Sequence, residues 1–226
     1  MSAPDSSYDS PSVAVFDLDG TLTWHDTFLL YVSGYLRRRP LRSLRLWRLP
    51  FAVLAFAIGG RDRGRLKSRV IRMVMGGDRR AEIDAWTAHF VGCLTPNGQF
   101  RPGALAILEA HRTAGDHLVL LSASPDLYVP AIGRLLGFER TLCTEVEWRE
   151  DRLQGSLKTP NRHGEEKLRC LEWLRSQYPG MRFIAYGNSA SDLAHLTQTE
   201  RAILVNGNAA ARALAAKSGV STLEWT

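Results

Sequence analysis

Cysteine is scarce in this sequence: there are three among 226 residues, Cys93, Cys143 and Cys170, and no CxxC pair. That excludes a disulfide-stapled scaffold and a cysteine-rich metal site, and a reducing, cytoplasmic setting is the expectation. Long hydrophobic runs are missing too. The longest, residues 49–58 (LPFAVLAFAI), would reach about 15 Å as a helix, half of the ~30 Å hydrocarbon core. It is too short for a membrane span. No internal repeat, low-complexity tract, zinc-finger or RNA-recognition signature occurs. Aromatic side chains are not interleaved with arginines as a base-stacking platform requires, so nucleic acid is not an expected partner. The opening MSAPDSSYDSP has no Lys, no Arg and no apolar stretch; it does not read as a signal peptide, and residues 1–11 are expected to be a disordered lead-in.

Acidic residues are nearly absent from one stretch. Over the whole chain 29 Lys and Arg face 23 Asp and Glu, a net charge of +6. Between residues 36 and 80 there are fourteen basic residues and two acids, Asp62 and Asp78, so this stretch carries +12 and the remainder sums to −6. Inside it Arg42, Arg45 and Arg48 recur every third residue beside Leu41, Leu44 and Trp47, the pattern of an amphipathic helix with a basic flank. Packing of its apolar face on the rest of the protein is the preferred reading. Peripheral contact of residues 41–58 with an anionic membrane surface, or docking on an acidic partner, is the alternative.

What is present is an alternation of short apolar runs and helical spacing. Residues 13–16 (VAVF), 117–121 (HLVLL), 183–186 (FIAY) and 202–205 (AILV) read as buried strands. Residues 141–148 and 152–157 read as a β-hairpin. Helical spacing covers 65–75, 81–93, 103–114, 125–136, 164–177, 192–197 and 208–217. Strands alternating with helices imply a parallel α/β sheet. The block 26–98 lacks strands and falls between the first strand and the second, so it is expected to be a separate small helical domain.

Polar clusters follow three strands directly: Asp17-Leu18-Asp19-Gly20-Thr21, Ser122-Ala123-Ser124, and Gly187-Asn188-Ser189-Ala190-Ser191-Asp192. Ligands of open α/β sheets bind beyond the carboxyl ends of the strands, so the three clusters predict one shared site. Asp17 and Asp19 are two apart, which on a simple strand would aim both carboxylates to one side. Two such carboxylates repel unless a cation lies with them, and Mg²⁺ takes carboxylates, water and phosphate oxygens. Gly20 permits a tight turn, and Thr21 offers a hydroxyl and an N–H.

The string VFDLDGTLT resembles the first motif of the haloacid dehalogenase superfamily. Ser122 after LVLL, Lys167 in HGEEKLRCL and GNSASD after FIAY resemble the second, third and fourth motifs, in order, over residues 12–222. The likeness is closest to the phosphoserine phosphatase-like branch (subfamily IB). It implies an α/β fold, a Rossmann-like parallel sheet core with an inserted α-helical cap: core residues 12–24 and 99–226, cap residues 25–98. It further implies a Mg²⁺-dependent phosphatase acting on a small, phosphoserine-like phosphomonoester. Asp17 would be the nucleophile forming an aspartyl-phosphate. Asp19 would be the general acid and then base, its backbone carbonyl on the metal. Ser122, Ala123 and Ser124, with Gly20 and Thr21, would bind the phosphate, and Lys167 would neutralise charge; Lys158 is its rival. Asp17, Asp19, Asn188 and Asp192 would form the metal site.

The sequence departs from the pattern at Asn188, where the family usually has a ligating Asp. An amide oxygen ligates Mg²⁺ without contributing charge, which should weaken affinity. Substrate choice is expected to lie in the cap. Trp24, His25 and Asp26 are candidates to face the substrate, and Arg65, Lys67, Arg69 and Arg72 either bind a substrate carboxylate or are solvated helix charge. Phosphoryl transfer to an acceptor other than water, and a weakly active or non-enzymatic protein docking through its basic cap, are the other readings. A dehalogenase is disfavoured because Asp19 suits acid–base work on a phosphoester.

Overall fold

In the computed structural model, residues 10–48, 50, 51, 57 and 62–226 are described. Most of the expected lead-in (1–9) and most of the apolar run 49–58 lie outside the described residues.

Six parallel strands form one sheet in the order β3-β2-β1-β6-β7-β8. They are β1 (Val13–Phe16), β2 (His117–Pro125), β3 (Arg140–Thr144), β6 (Phe183–Gly187), β7 (Arg201–Val205) and β8 (Ser221–Leu223). A strand covered on both faces needs side chains that are apolar throughout, and VAVF of β1 is buried at all four positions. Side chains alternate between faces. Ala14, Phe16, Leu118, Leu120, Ile184 and Tyr186 enter one core. Val13, Val15, Val119, Leu121, Phe183 and Ala185 enter the other. The first core also receives α4 (Pro102–Thr113) and α5 (Val129–Leu135); the second receives α6 (Glu165–Gln177) and α7 (Ala209–Lys217).

Register positions the site. Phe16 pairs with Leu120 of β2 on one side and Tyr186 of β6 on the other, so three adjacent strands lie level there. Asp17 and Asn188 directly follow β1 and β6, whereas the second cluster, Ser122 to Ser124, lies within the irregular last part of β2, which runs on to Pro125 and not, as expected from the sequence, only to Leu121. The parallel sheet and its flanking helices agree with the fold class expected from the sequence.

The chain leaves the sheet after β1 through one irregular turn, Leu18–Leu22, with Gly20 at φ 80°. It then forms α1 (Thr27–Arg38), a 3₁₀ segment (Pro40–Arg48), α2 (Arg63–Met75) and α3 (Arg80–Leu94) before returning to α4. The outgoing and returning strands touch once: Thr23 bridges Phe100, the Trp24 N–H donates to the Gln99 carbonyl at 3.1 Å, and the Arg101 N–H donates to the Leu22 carbonyl at 2.9 Å. Asp26 and Asp62 cap α1 and α2, accepting from the N–H groups of Leu29 and Arg65. Tyr31, Ile71, Val74, Ile83 and Trp86 of these helices are buried in the core that also contains Phe16 and Tyr128.

Two expectations change. Residues 141–148 do not form one hairpin arm: β3 joins the large sheet beside β2, and only β4 (Val146–Arg149) pairs antiparallel with β5 (Arg152–Leu157). The chain turns between them because Asp126 accepts the Val146 N–H at 3.0 Å. The hairpin packs on the helical insertion, with Gly155 so close to α2 that a Cβ there would lie 2.6 Å from the Arg72 backbone. The Gly77 N–H donates to the Leu153 carbonyl at 2.8 Å, and the Leu153 N–H to the Asp78 carbonyl at 3.0 Å.

The second change concerns the basic amphipathic segment. Pro40–Arg48 is a 3₁₀ helix, in which side chains three apart eclipse. Leu41, Leu44 and Trp47 therefore line up, and they are 80%, 72% and 63% exposed, with Phe51 at 64% beside Trp47. These four described apolar side chains are mostly exposed, which departs from the inward packing preferred from the sequence. Arg42 is anchored instead, bonded to the buried Asp78 and to the carbonyls of Val74 and Gly76. Among the described residues, no helix is long and apolar enough to cross a membrane.

Candidate active site

Asp17 directly follows β1, and Lys167 sits in the first turn of α6 with its side chain buried. Lys167 Nζ donates to Asp17 Oδ1 at 2.6 Å and to Asp192 Oδ1 at 2.7 Å. One ammonium thus ties the first cluster to the third, although 150 residues separate Lys167 from Asp17. Its rival Lys158 is exposed and pairs with Glu145. Gly187 lets this approach happen: a Cβ there would be 2.7 Å from Asp192 Cβ.

The two aspartates of the first cluster are partitioned. The irregular turn after Asp17 replaces the straight strand assumed from the sequence, so Asp19 has separate partners. Asp19 Oδ1 accepts from the Thr27 N–H and contacts the Thr27 hydroxyl, each at 2.6 Å; Asp19 Oδ2 accepts from Ser124 Oγ at 2.6 Å. Tyr128 backs the arrangement, its hydroxyl 3.0 Å from Thr27 Oγ1. Thr21 Oγ1 donates to Asp17 Oδ2 at 3.2 Å.

Burial pushes the Asp17 carboxyl up to about 7; Lys167 opposes the rise and Asp192 adds to it. Asp19 is also raised, by burial and then by the charge of Asp26. Burial acts the same way on Asp192, but the Lys167 ammonium and the donors of Ser189 outweigh it and hold that carboxyl well below the usual range. Burial would lower Lys167, yet its two carboxylates keep it firmly protonated.

Other residues named from the sequence fall at different depths. Asn188 borders the cavity beside Asp17, packed against Gly20. Ala123 and Ser124 line the cavity, whereas Ser122 is fully buried and its Oγ accepts the Ser124 N–H at 3.1 Å. Trp24 stacks under the Arg101 guanidinium, 4.1 Å from its ring centroid, and His25 is exposed. Of the helical cations, Lys67 reaches the site, bonded to the Ala123 carbonyl and, at 2.9 Å, to Asn161 Oδ1. Burial lowers it to about 8. Arg65, Arg69 and Arg72 line a separate cleft against residues 156–161. Thr27, Tyr128 and Asn161 are given no role by the sequence reading, and His163, which opens the HGEEKLRCL string, is given none either.

The family model of haloacid dehalogenase-like hydrolases matches residues 14–197. The chain belongs to that family. It is 32% identical over 184 residues to Protein CicA of Caulobacter vibrioides, covering 80% of each chain. Over 222 residues it is 25% identical to a protein of Mycobacterium tuberculosis named "Probable phosphatase Rv3661", covering 95% of this chain and 76% of that one. A substrate-bound phosphoserine phosphatase has the same fold, with a TM-score of 0.66 at 12% identity over 96% of this chain and 94% of the other.

The family implies Mg²⁺, and the donor set can be tested against it. Among the described residues, no three His, Cys, Asp or Glu side chains converge as a metal cluster. The oxygen donors around Asp17 are nevertheless hard ones, the carboxylates of Asp17 and Asp192 and the amide of Asn188, which suit Mg²⁺ with water filling the remaining positions. Two buried carboxylates sharing one ammonium leave negative charge that a cation would offset. The residues fit the ion.

Proposed function

We propose that this hydrolase cleaves a phosphomonoester through an aspartyl-phosphate on Asp17. The observation that carries the reading is the single Lys167 ammonium joining Asp17 and Asp192 while Asp19 is held apart by Ser124 and Thr27. A nucleophile and an acid two residues apart have been given opposite surroundings, which is how two like carboxyl groups acquire different tasks.

In the first step an Asp17 oxygen forms a bond to phosphorus as the phosphorus–alcohol oxygen bond breaks, and Asp19 passes its proton to the departing oxygen. The upward shift of Asp19 keeps that proton available. In the second step Asp19, now a carboxylate, takes a proton from water; the water oxygen bonds to phosphorus and Asp17 is released with inorganic phosphate. Lys167 offsets charge on Asp17 and on the phosphoryl oxygens. Backbone N–H groups of Gly20, Thr21 and Ala123 are the proposed phosphate donors, with Ser122 Oγ holding that segment by accepting the Ser124 N–H. Asp17, Asn188, Asp192 and the Asp19 carbonyl would hold Mg²⁺, which when bound supplies charge neutralisation of the transferring phosphoryl group. Residues 25–98 would act as the cap that closes over this end of the sheet.

The test is phosphate release from p-nitrophenyl phosphate in Mg²⁺ or EDTA. Turnover that needs the ion and disappears in Asp17→Asn supports the reading; metal-independent turnover, or an active Asp17→Asn, removes it. Transfer of phosphate to an added alcohol would show as alkyl phosphate formed in place of inorganic phosphate.

A second property is favoured by the outward stripe Leu41, Leu44, Trp47 and Phe51, flanked by exposed Arg37, Arg38 and Arg45. Apolar side chains in a basic setting fit an anionic phospholipid surface. The protein should co-sediment with phosphatidylglycerol vesicles but not with phosphatidylcholine ones, and Leu44→Asp should abolish this while p-nitrophenyl phosphate turnover is kept. Equal sedimentation of the two proteins would discard the stripe as the contact.

A further inference from the structure

The site opens into a cavity of about 750 Å³, within the range that holds a drug-sized molecule. Asp17, Asp19, Lys167 and Asn188 line it together with further polar residues, among them Arg63, Lys67, Asn161 and His163. The two helices of the insertion add an apolar stretch of wall. On α1 every lining residue after Asp26 is apolar: Phe28, Leu29, Val32 and Leu36. Leu66 and Val70 face them from α2. The spacings i, i+4 and i+8 on α1 and i, i+4 on α2 put each set on one stripe of its helix. From Phe28 to Leu36 the α1 stripe runs eight residues, about 12 Å at 1.5 Å per residue.

A charged leaving group such as serine would use little of this wall. Its ammonium and carboxylate would need partners in the cap, and the cap charges nearest the site are already engaged. Asp26 accepts the Leu29 N–H, and Lys67 is bonded to Ala123 and Asn161. Arg63 is 2.9 Å from His163 Nε2. Burying a polar alcohol along six aliphatic and aromatic side chains would cost free energy, whereas an alkyl chain there gains it with each methylene.

We infer that the leaving alcohol carries a single long apolar chain: the substrate class is an amphiphilic phosphomonoester, phosphate at the Asp17 end and hydrocarbon between α1 and α2. This rests on the phosphatase reading above and narrows it, and it departs from the small, phosphoserine-like substrate expected from the sequence.

The experiment is a chain-length series of alkyl phosphates, butyl to decyl and below their micelle concentrations, assayed with Mg²⁺ beside phosphoserine and p-nitrophenyl phosphate. The expected result is a kcat/KM that climbs about two- to fourfold per methylene until the chain outruns the groove, with decyl phosphate at least about a hundredfold better than phosphoserine. Leu29→Glu and Leu66→Glu, in the apolar stretch of wall, should flatten the climb, whereas Leu44→Asp, outside the cavity lining, should leave it as steep as in wild type. Binding of decyl phosphate to Asp17→Asn, followed by calorimetry, should tighten along the same series. A flat series, or phosphoserine preferred to decyl phosphate, in an enzyme that does turn over p-nitrophenyl phosphate overturns the substrate class and leaves the phosphatase reading standing. No metal-dependent turnover of any of these compounds would instead remove the phosphatase reading, and the substrate class with it.

Discussion

Ser124 Oγ lies 2.6 Å from Asp19 Oδ2, so a hydroxyl from the second polar cluster holds a carboxylate of the first across 105 residues of sequence. Its hydrogen bond favours the ionised form and works against the upward push of burial. Ser124→Ala should therefore raise the Asp19 pKa further and loosen its aim. We expect kcat to fall about ten- to a hundredfold and the basic limb of the pH–rate profile to move upward. An unmoved limb would mean that Asp19 is not the titrating acid.

Gly20 is fixed by two constraints at once. Its φ of 80° is unfavourable for any residue with a Cβ, and a Cβ there would lie 2.1 Å from Asn188 Nδ2. Gly20→Ala should cost about 1–3 kcal/mol of stability and displace the Asn188 amide, with turnover lost more severely than stability. A thermal melt and an assay on the same sample check both. Wild-type turnover would show that the Gly20–Asn188 contact is not needed.

Asp17 should contribute a loss of stability to the metal-free protein as pH rises. Its Asp17 holds a proton to about pH 7, against 3.8 for the unfolded carboxyl. Between those values the folded state binds more protons than the unfolded one, so the slope of unfolding free energy with pH is negative. The penalty is absent near pH 4 and complete above pH 7. Asp17→Asn carries no such charge and keeps Asp192 as partner for Lys167. In EDTA at pH 8 it should melt roughly 3–8 °C above wild type, with the gap closing near pH 4. A gap between the two proteins that stays constant from pH 4 to pH 8 would contradict this.

Asn188→Asp restores a carboxylate where the family usually has one. The Mg²⁺ concentration giving half-maximal activity should drop about tenfold or more, since a charged ligand replaces a neutral one. The same substitution adds a third carboxylate near Lys167, so the metal-free protein should be less stable than wild type. An unchanged Mg²⁺ requirement would place Asn188 outside the metal's reach.

The chain's own order of residues determines a good deal. Strands buried on both faces must be short apolar runs, which makes VAVF, HLVLL, FIAY and AILV visible without any structure. The polar clusters after three of them are visible because the apolar pattern stops there, although β2 itself continues through Ser122, Ala123 and Ser124 to Pro125. Only the tertiary structure decides the rest. Pairing register levels Phe16 with Leu120 and Tyr186 and so makes three clusters one site. The irregular turn at Gly20, which no strand periodicity announces, sends Asp17 to Lys167 and Asp19 to Ser124 and Thr27. The arm at 140–149 splits between two sheets because Asp126, distant in sequence, binds the Val146 N–H. The outward stripe at Leu41, Leu44 and Trp47 depends on three residues per turn where the pattern alone suggested a helix packed inward. The groove is the clearest case: Phe28, Val32 and Leu36 recur every fourth residue, as on any helix with one apolar face, and only the placement of α2 makes them part of a cavity wall at the candidate site.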